Sequence, residues 1–315
     1  MHRVPTTFHK HYAWIVIIME NATQAPKVAS NERWYTRFIP YVMVAPPLLV
    51  MLVLIIYPAA LSVFDTLTTV SDDGTFSFTL QNYVNFFALP DAMPNLLFTL
   101  QTTIITVLAL FAVCFPISYY LRFSTSRLAN PVQFLALFPM FVPGIVTAFA
   151  LIRFLDDNGW VENILFTLTA WEGYVSPIRK PQGIIIGLVW EGIPVTILIL
   201  TAGLAQVQNS LIESARDVGA NSFQIFWRII LPQIKRPVLI VLTLNFLGVF
   251  GAFTIPLLLG GASPQMYGHY MQNRLYGTGQ YTNAQVAAVI MFVISAGVGL
   301  LYVRSVVRQQ IEQGI

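Results

Sequence analysis

The feature that most constrains this chain is where its charges are missing. Six stretches, 38–64, 96–121, 132–152, 183–207, 238–262 and 284–303, share a single charged side chain, Glu191. About 20 helical residues cross a hydrocarbon core roughly 30 Å thick, so each stretch is long enough to span one. A buried helix of a soluble protein rarely runs that far without a charge, and here six do. The remaining composition agrees. Lys and Arg number 17 and Asp and Glu 14 in 315 residues, too few to cover a soluble surface of this size. The apolar fraction of 56% with a net charge of +3 excludes disorder, and the lone Cys114 excludes a disulfide scaffold. The expected fold is an all-α polytopic membrane protein of six kinked transmembrane helices.

Prolines recur inside these stretches: Pro46, Pro47, Pro58, Pro116, Pro139, Pro143, Pro194 and Pro256. In a membrane bundle they are tolerated as kinks where neighbours satisfy the freed carbonyls. Lys and Arg set the orientation. With the N-terminus cytoplasmic, thirteen fall inside, among them Arg122, Arg127, Arg216, Arg228, Lys235, Arg236 and Arg304. Only Arg179, Lys180 and Arg274 fall outside, with Arg153 at a boundary. Both termini are therefore expected in the cytoplasm. Residues 1–37 read as a cytoplasmic tail whose apolar run 13–19 is too short to span, and 304–315 as a second tail. A signal peptide is not expected, because it would place the basic residues outside.

The first outer loop, 65–95, holds Leu80, Tyr83, Val84, Phe86 and Phe87 at roughly helical spacing, which predicts an amphipathic helix at the interface or packed over the bundle. The longest inner loop, 208–237, is more informative. Leu211, Ser214, Ala215 and Val218 fall on one helix face. Gly219 is a natural helix stop, and Asn221 or Ser222 can cap a second helix. Phe223, Phe226, Trp227 and Ile230 form its face, and Pro232 is expected to end it. A cytoplasmic two-helix element with an exposed apolar side usually meets another protein.

These residues carry a resemblance. The spacing Glu213-Ser214-Ala215, three residues, Gly219, nine residues, Ile229, one residue, Leu231-Pro232 resembles the EAA loop of the membrane subunits of binding-protein-dependent ABC importers. Ser214 stands where that family usually has Ala, a small residue for a small one. The resemblance covers 96–303, topology included, and implies a type I importer permease. In that family the loop is a coupling helix seated in a groove of a cytoplasmic ATPase. Two permeases, here expected to be a heterodimer, and two ATP-binding subunits make the transporter, and an external solute-binding protein delivers substrate. The coupling set implied here is Glu213, Ser214, Ala215, Asp217, Gly219, Ala220, Phe226, Leu231 and Pro232. Glu213 and Asp217 then pair with basic ATPase residues; a solvated face or a local pair with Arg216 is the alternative. None of Lys10, Lys27, Lys180 and Lys235 follows a Gly-x-x-x-x-Gly pattern, so no P-loop is present and ATP hydrolysis falls to the partners. No metal, cofactor or catalytic residue is expected, nor a Gly-x-Ser-x-Gly elbow.

Substrate signals are finer. Phe253-Thr-Ile-Pro256-Leu-Leu-Leu-Gly260-Gly261 and Ala215-Arg-Asp-Val-Gly-Ala220 resemble the spermidine/putrescine-type permeases, as does Ile184-Ile-Ile-Gly-Leu-Val-Trp190. Sugar, phosphonate and iron permeases are the alternatives. Glu191 lies eight residues into its stretch, about 12 Å along the axis. A charge there must face a cavity or a partner. It reads either as a carboxylate guiding a cationic solute or as a structural hydrogen bond or pair with a partner permease. Trp190, Asn245 and Thr254 complete the expected pathway set. A secondary transporter, the competing class, usually has several intramembrane ionisable groups and an internal repeat, and this sequence has one such group and no evident repeat.

Overall fold

The computed structural model describes residues 34–70, 74 and 76–312. The apolar run 13–19, the rest of 1–33 and the last three residues lie outside the described residues. The chain divides into two compact units, 1–60 and 61–315.

In the first unit α1 (Trp34–Met51) carries Pro40, Pro46 and Pro47 without breaking. A π-helical turn (Leu52–Ile56) follows, and α2 begins at Tyr57 (Tyr57–Thr66). The π turn sits just before Pro58, where the ring would crowd an ordinary helical carbonyl. The apolar helix from Ile39 to Thr66 runs 28 residues, long enough to span.

In the second unit Thr68–Val70 (β1) and Phe76–Phe78 (β2) pair antiparallel, Thr68 opposite Phe78. The alternating Phe76-Ser77-Phe78 is extended, and the expected helix follows it as α3, Gln81–Phe87. Phe86 is its fully buried anchor, while Leu80, Val84 and Phe87 are exposed.

The remaining helices form a bundle. They are α4 (Ala92–Phe123), α5 (Ala129–Leu137), a 3-10 turn (Phe138–Phe141), α6 (Gly144–Leu155), α7 (Trp160–Thr169) and α8 (Pro181–Ala205). There follow α9 (Asn209–Asp217), α10 (Ser222–Ile225), a π turn (Phe226–Ile230), α11 (Leu231–Phe250), α12 (Thr254–Leu259), α13 (Tyr267–Gln272), a further π turn (Asn273–Gly277) and α14 (Tyr281–Glu312). Helices α4, α8 and α11 pack together at the centre, around Leu110, Cys114, Ile197, Leu200 and Val241. Small residues allow the close approach that membrane helices need. At Gly203 a Cβ would collide with the Pro237 ring, so α8 and α11 meet almost backbone to ring.

Two expected spans are corrected. The stretch 132–152 is not one helix: it breaks at Val142-Pro143, and the segments on either side bend by 109°. Pro143 holds Val142 extended at φ −100°, ψ 118°, which no helix continues. The stretch 238–262 also breaks. Helix α11 ends at Phe250, a turn runs through Gly251–Phe253, and α12 restarts at Thr254. Pro256 falls in the first turn of α12, where a missing N–H costs little. Among the described residues five helices are long and apolar enough to span, and the bent pair, taken as one span, makes a sixth. Pro116, Pro194 and Pro237, by contrast, stay inside helices.

Candidate substrate cleft and coupling loop

The two breaks face the one intramembrane charge. Glu191 stands ten residues after Pro181 in α8, about 15 Å along the axis, and so near the middle of a span. It opens into a cleft of 290 Å³. Leu188 and Gly192 of α8, Asn245, Gly248 and Val249 of α11, the turn Ala252-Phe253, and Thr254 and Ile255 of α12 line the rest. Three of the four residues expected on the pathway, Glu191, Asn245 and Thr254, are therefore brought together; Trp190 does not line this cleft. The Asn245 Nδ2 donates to Thr196 Oγ1 at 2.8 Å, and that hydroxyl donates to the Gly192 carbonyl at 2.7 Å. This chain bridges α11 to α8 and fixes the Asn245 amide.

Glu191 makes no hydrogen bond or ion pair among the described residues. Its Oε1 lies against the first residue of α6: a Cβ built on Gly144 would stand only 2.5 Å from it. The N-terminal end of α6 thus brings partial positive charge to the carboxylate. Broken helices that line a midspan cavity with turn backbone and helix ends are a recurring way to hold a solute in a membrane. Gly144 and the turn Gly251–Phe253 were missed from sequence, because Gly144 is 47 residues from Glu191 and nothing local marks the pairing.

The inner loop folds as its sequence predicts through Gly219. Gly219 has φ +84°, and a Cβ there would meet nothing within 4 Å, so conformation rather than space requires glycine. Its N–H donates to the Arg216 carbonyl at 2.9 Å, and the Ala220 N–H to the Ala215 carbonyl at 2.9 Å, the pair of bonds of a Schellman cap. Of the two cap candidates Asn221 is the one used, in a reciprocal capping box with Gln224.

Beyond this point the expectation needs correcting. Pro232 does not end the second helix. The π turn Phe226–Ile230 carries the chain into α11, with the Leu231 N–H bonded to the Phe226 carbonyl, and Pro232 sits in the first turn of α11. Of the residues expected on the two apolar faces, Ile230 turns inward, and Ile212 and Ile225, outside both sets, join it. Ile212, Ile225 and Ile230 are the residues buried against Leu204, Val207 and Ile234. Leu211, Val218, Phe223 and Trp227 stay exposed, Val218 at 85%. Of the nine coupling candidates, Glu213, Ser214, Asp217, Gly219 and Pro232 are exposed. Ala215, Ala220, Phe226 and Leu231 pack toward the bundle, Phe226 edge-on to Phe115 at 5.8 Å. Neither Glu213 nor Asp217 forms an ion pair among the described residues, where Arg274–Asp91 is the only one. The loop therefore has an inner face that holds it and an outer apolar face with carboxylates.

On the outer side, Arg274 joins Asp91 to Gln280 and lies 5.0 Å over the Tyr270 ring. Burial raises the Tyr270 hydroxyl pKa and lowers that of His269.

The family model described as "Binding-protein-dependent transport system inner membrane component" matches residues 115–311. The spermidine/putrescine transport system permease protein PotB of Escherichia coli K12 is 26% identical over 261 residues, 81% of this chain and 93% of its own. The sulfoquinovosyl glycerol transport system permease protein SmoG of Agrobacterium fabrum is 24% identical over 285 residues, 85% of this chain and 90% of its own. Among solved structures, a bacterial ABC transporter involved in the import of the acidic polysaccharide alginate shares the fold, with a TM-score of 0.71 and 18% identity over 86% of this chain and 99% of that one. The chain thus belongs to the family of binding-protein-dependent transport system inner membrane components, and is a multi-pass permease subunit of an ABC importer.

Proposed function

We propose that this permease passes a small cationic solute of the polyamine class. The observation that carries the reading is the single intramembrane carboxylate, Glu191, open to a cleft it shares with Asn245 and Thr254. A carboxylate without an internal cation can exchange its interaction for one with a passing ammonium group. The name of the PotB relative, a spermidine/putrescine permease, supports the same class. The outer loops add Asp65, Asp156, Asp157, Glu162 and Glu172, which draw cations toward the entrance.

In this reading a second, non-identical permease completes the pathway, and an external binding protein delivers the solute. Two cytoplasmic ATP-binding subunits hydrolyse ATP and hold the exposed face of α9 and α10, with Glu213 and Asp217 paired to their basic residues. A neutral sugar is the second reading, favoured by the SmoG similarity and by the uncharged Asn245 and Thr254.

The test is Glu191→Gln in the reconstituted transporter, with uptake of putrescine, spermidine and a neutral sugar measured at matched expression. Loss of a charge-assisted contact of about 1.5–3 kcal/mol lowers polyamine uptake by roughly ten- to a hundredfold. Unchanged polyamine uptake refutes the cationic reading, and sugar uptake by the wild type replaces it with the second.

A further inference from the structure

The cytoplasmic end of α4 carries a residue that charge counting assigned only to topology. The Arg122 Nε donates to the Leu204 carbonyl at 3.2 Å. Its Nη2 donates to the Val207 carbonyl at 3.0 Å and to Asn209 Oδ1 at 3.0 Å. The three acceptors lie on either side of a joint. Leu204 belongs to the last turn of α8, Val207 to the link, and Asn209 is the first residue of α9. The Leu204 and Val207 side chains are buried in the inner cluster, so these carbonyls are held in place.

The end of a helix leaves carbonyls without intrahelical partners and carries the negative end of its dipole. A guanidinium satisfies several such acceptors at once in a fixed fork; an ammonium on a flexible stem is a point charge without that fixed geometry. The Arg122 guanidinium also lies 4.9 Å over the Phe123 ring, which limits its swing. Glu213 and Arg216 line the same cytoplasmic cleft without bonding to it.

We infer that Arg122 is a positioning residue for energy coupling: it locks the joint between α8 and the coupling helix α9 from a third element, α4. This rests on the coupling role proposed above for α9. Only Gln206–Gln208 connects the two helices, and no regular structure stiffens that link. With both sides of the joint fixed by one guanidinium, displacement of α9 is passed into α4 and into α8, the helix that bears Glu191. Without it, α9 moves about the link and ATP is hydrolysed without import.

The experiment uses the complete transporter, with its partner subunits and binding protein, in proteoliposomes. Co-purified ATP-binding subunit, ATP hydrolysis and solute uptake are measured for the wild type and for Arg122→Gln, Arg122→Lys and Asn209→Ala. The expected result is normal assembly with solute moved per ATP reduced about tenfold or more in Arg122→Gln. Arg122→Lys is intermediate, and Asn209→Ala, which keeps both carbonyl contacts, loses roughly two- to fivefold. Hydrolysis and uptake falling in proportion, with an unchanged ratio, overturns the inference. If the Gln variant does not assemble, an unchanged ratio in Arg122→Lys and Asn209→Ala overturns it equally. The wild-type measurement separates this failure from that of the coupling reading, which falls if wild-type uptake does not depend on ATP.

Discussion

Gly144→Ala tests the cleft without removing any of its polar groups. The new methyl carbon would stand 2.5 Å from Glu191 Oε1 and 3.6 Å from its Cδ. Ordinary contact begins near 3.4 Å, so the carboxylate oxygen must retreat by about 0.9 Å. It is the far end of a flexible side chain and can do so, leaving its rotamer by roughly 30° at a cost of about 0.5–1.5 kcal/mol. That converts to a two- to twelvefold rise, roughly, in the solute concentration for half-maximal uptake. Fold stability moves little, because Ala is the better helix former by up to about 1 kcal/mol. The assay is a concentration series of polyamine uptake beside thermal unfolding of the purified complex, repeated in a Glu191→Ala background. There the oxygen is gone and the added methyl should do nothing further. The same fold-change in both backgrounds refutes the reasoning, because the effect would then not run through the carboxylate.

Two other predictions concern the ends of the molecule. Gly219→Ala forces a Cβ into the left-handed region at a cost of about 1–2 kcal/mol, so less ATP-binding subunit should co-purify, and Gly219→Asn should retain more of it. Equal retention in both variants and the wild type refutes this. His269 buries an Nδ1 with no partner among the described residues, and burial lowers its pKa below the ordinary histidine value of about 6.5. The unfolded chain therefore binds a proton that the folded chain resists. Stability is complete above that ordinary value and declines as pH falls below it. Thermal unfolding compared at about pH 7.5 and 5.5 should show a steeper acid loss in the wild type than in His269→Gln; parallel slopes refute it.

Much of this was legible in sequence because membrane solvation acts residue by residue. A charge is excluded wherever a helix meets lipid, so the apolar stretches announce themselves, and Glu191 stands out as the exception. The Schellman cap at Gly219 and the capping box at Asn221 are local as well, set by a few neighbouring residues. The breaks at Val142-Pro143 and Gly251–Phe253 were not legible. Hydropathy averaged over a span is indifferent to direction, and proline alone does not decide: Pro194 and Pro237 continue their helices while Pro143 stops one. The inner contacts of this loop were not legible for a related reason. Ile212 and Leu211 are equally apolar, and only the position of Leu204 and Ile234 makes the first the inward residue. Arg122 needed the end of α8, 82 residues away, before its partners existed.

The continuity of the chain through Pro232 has a mechanical consequence. From Ser222 to Phe250 there is one helical rod of 29 residues, about 43 Å long. One end lies beside the exposed cytoplasmic face, and the other forms the wall of the cleft at Asn245, Gly248 and Val249. Pro237 stands near its midpoint, pressed against Gly203 with no side chain between them to yield. A rod held at its middle is a lever on a fulcrum. A tilt of about 5° moves each end by roughly 2 Å in opposite directions. In the proposed function, a push on the cytoplasmic arm would return at the cleft reversed in sign and nearly undiminished in size.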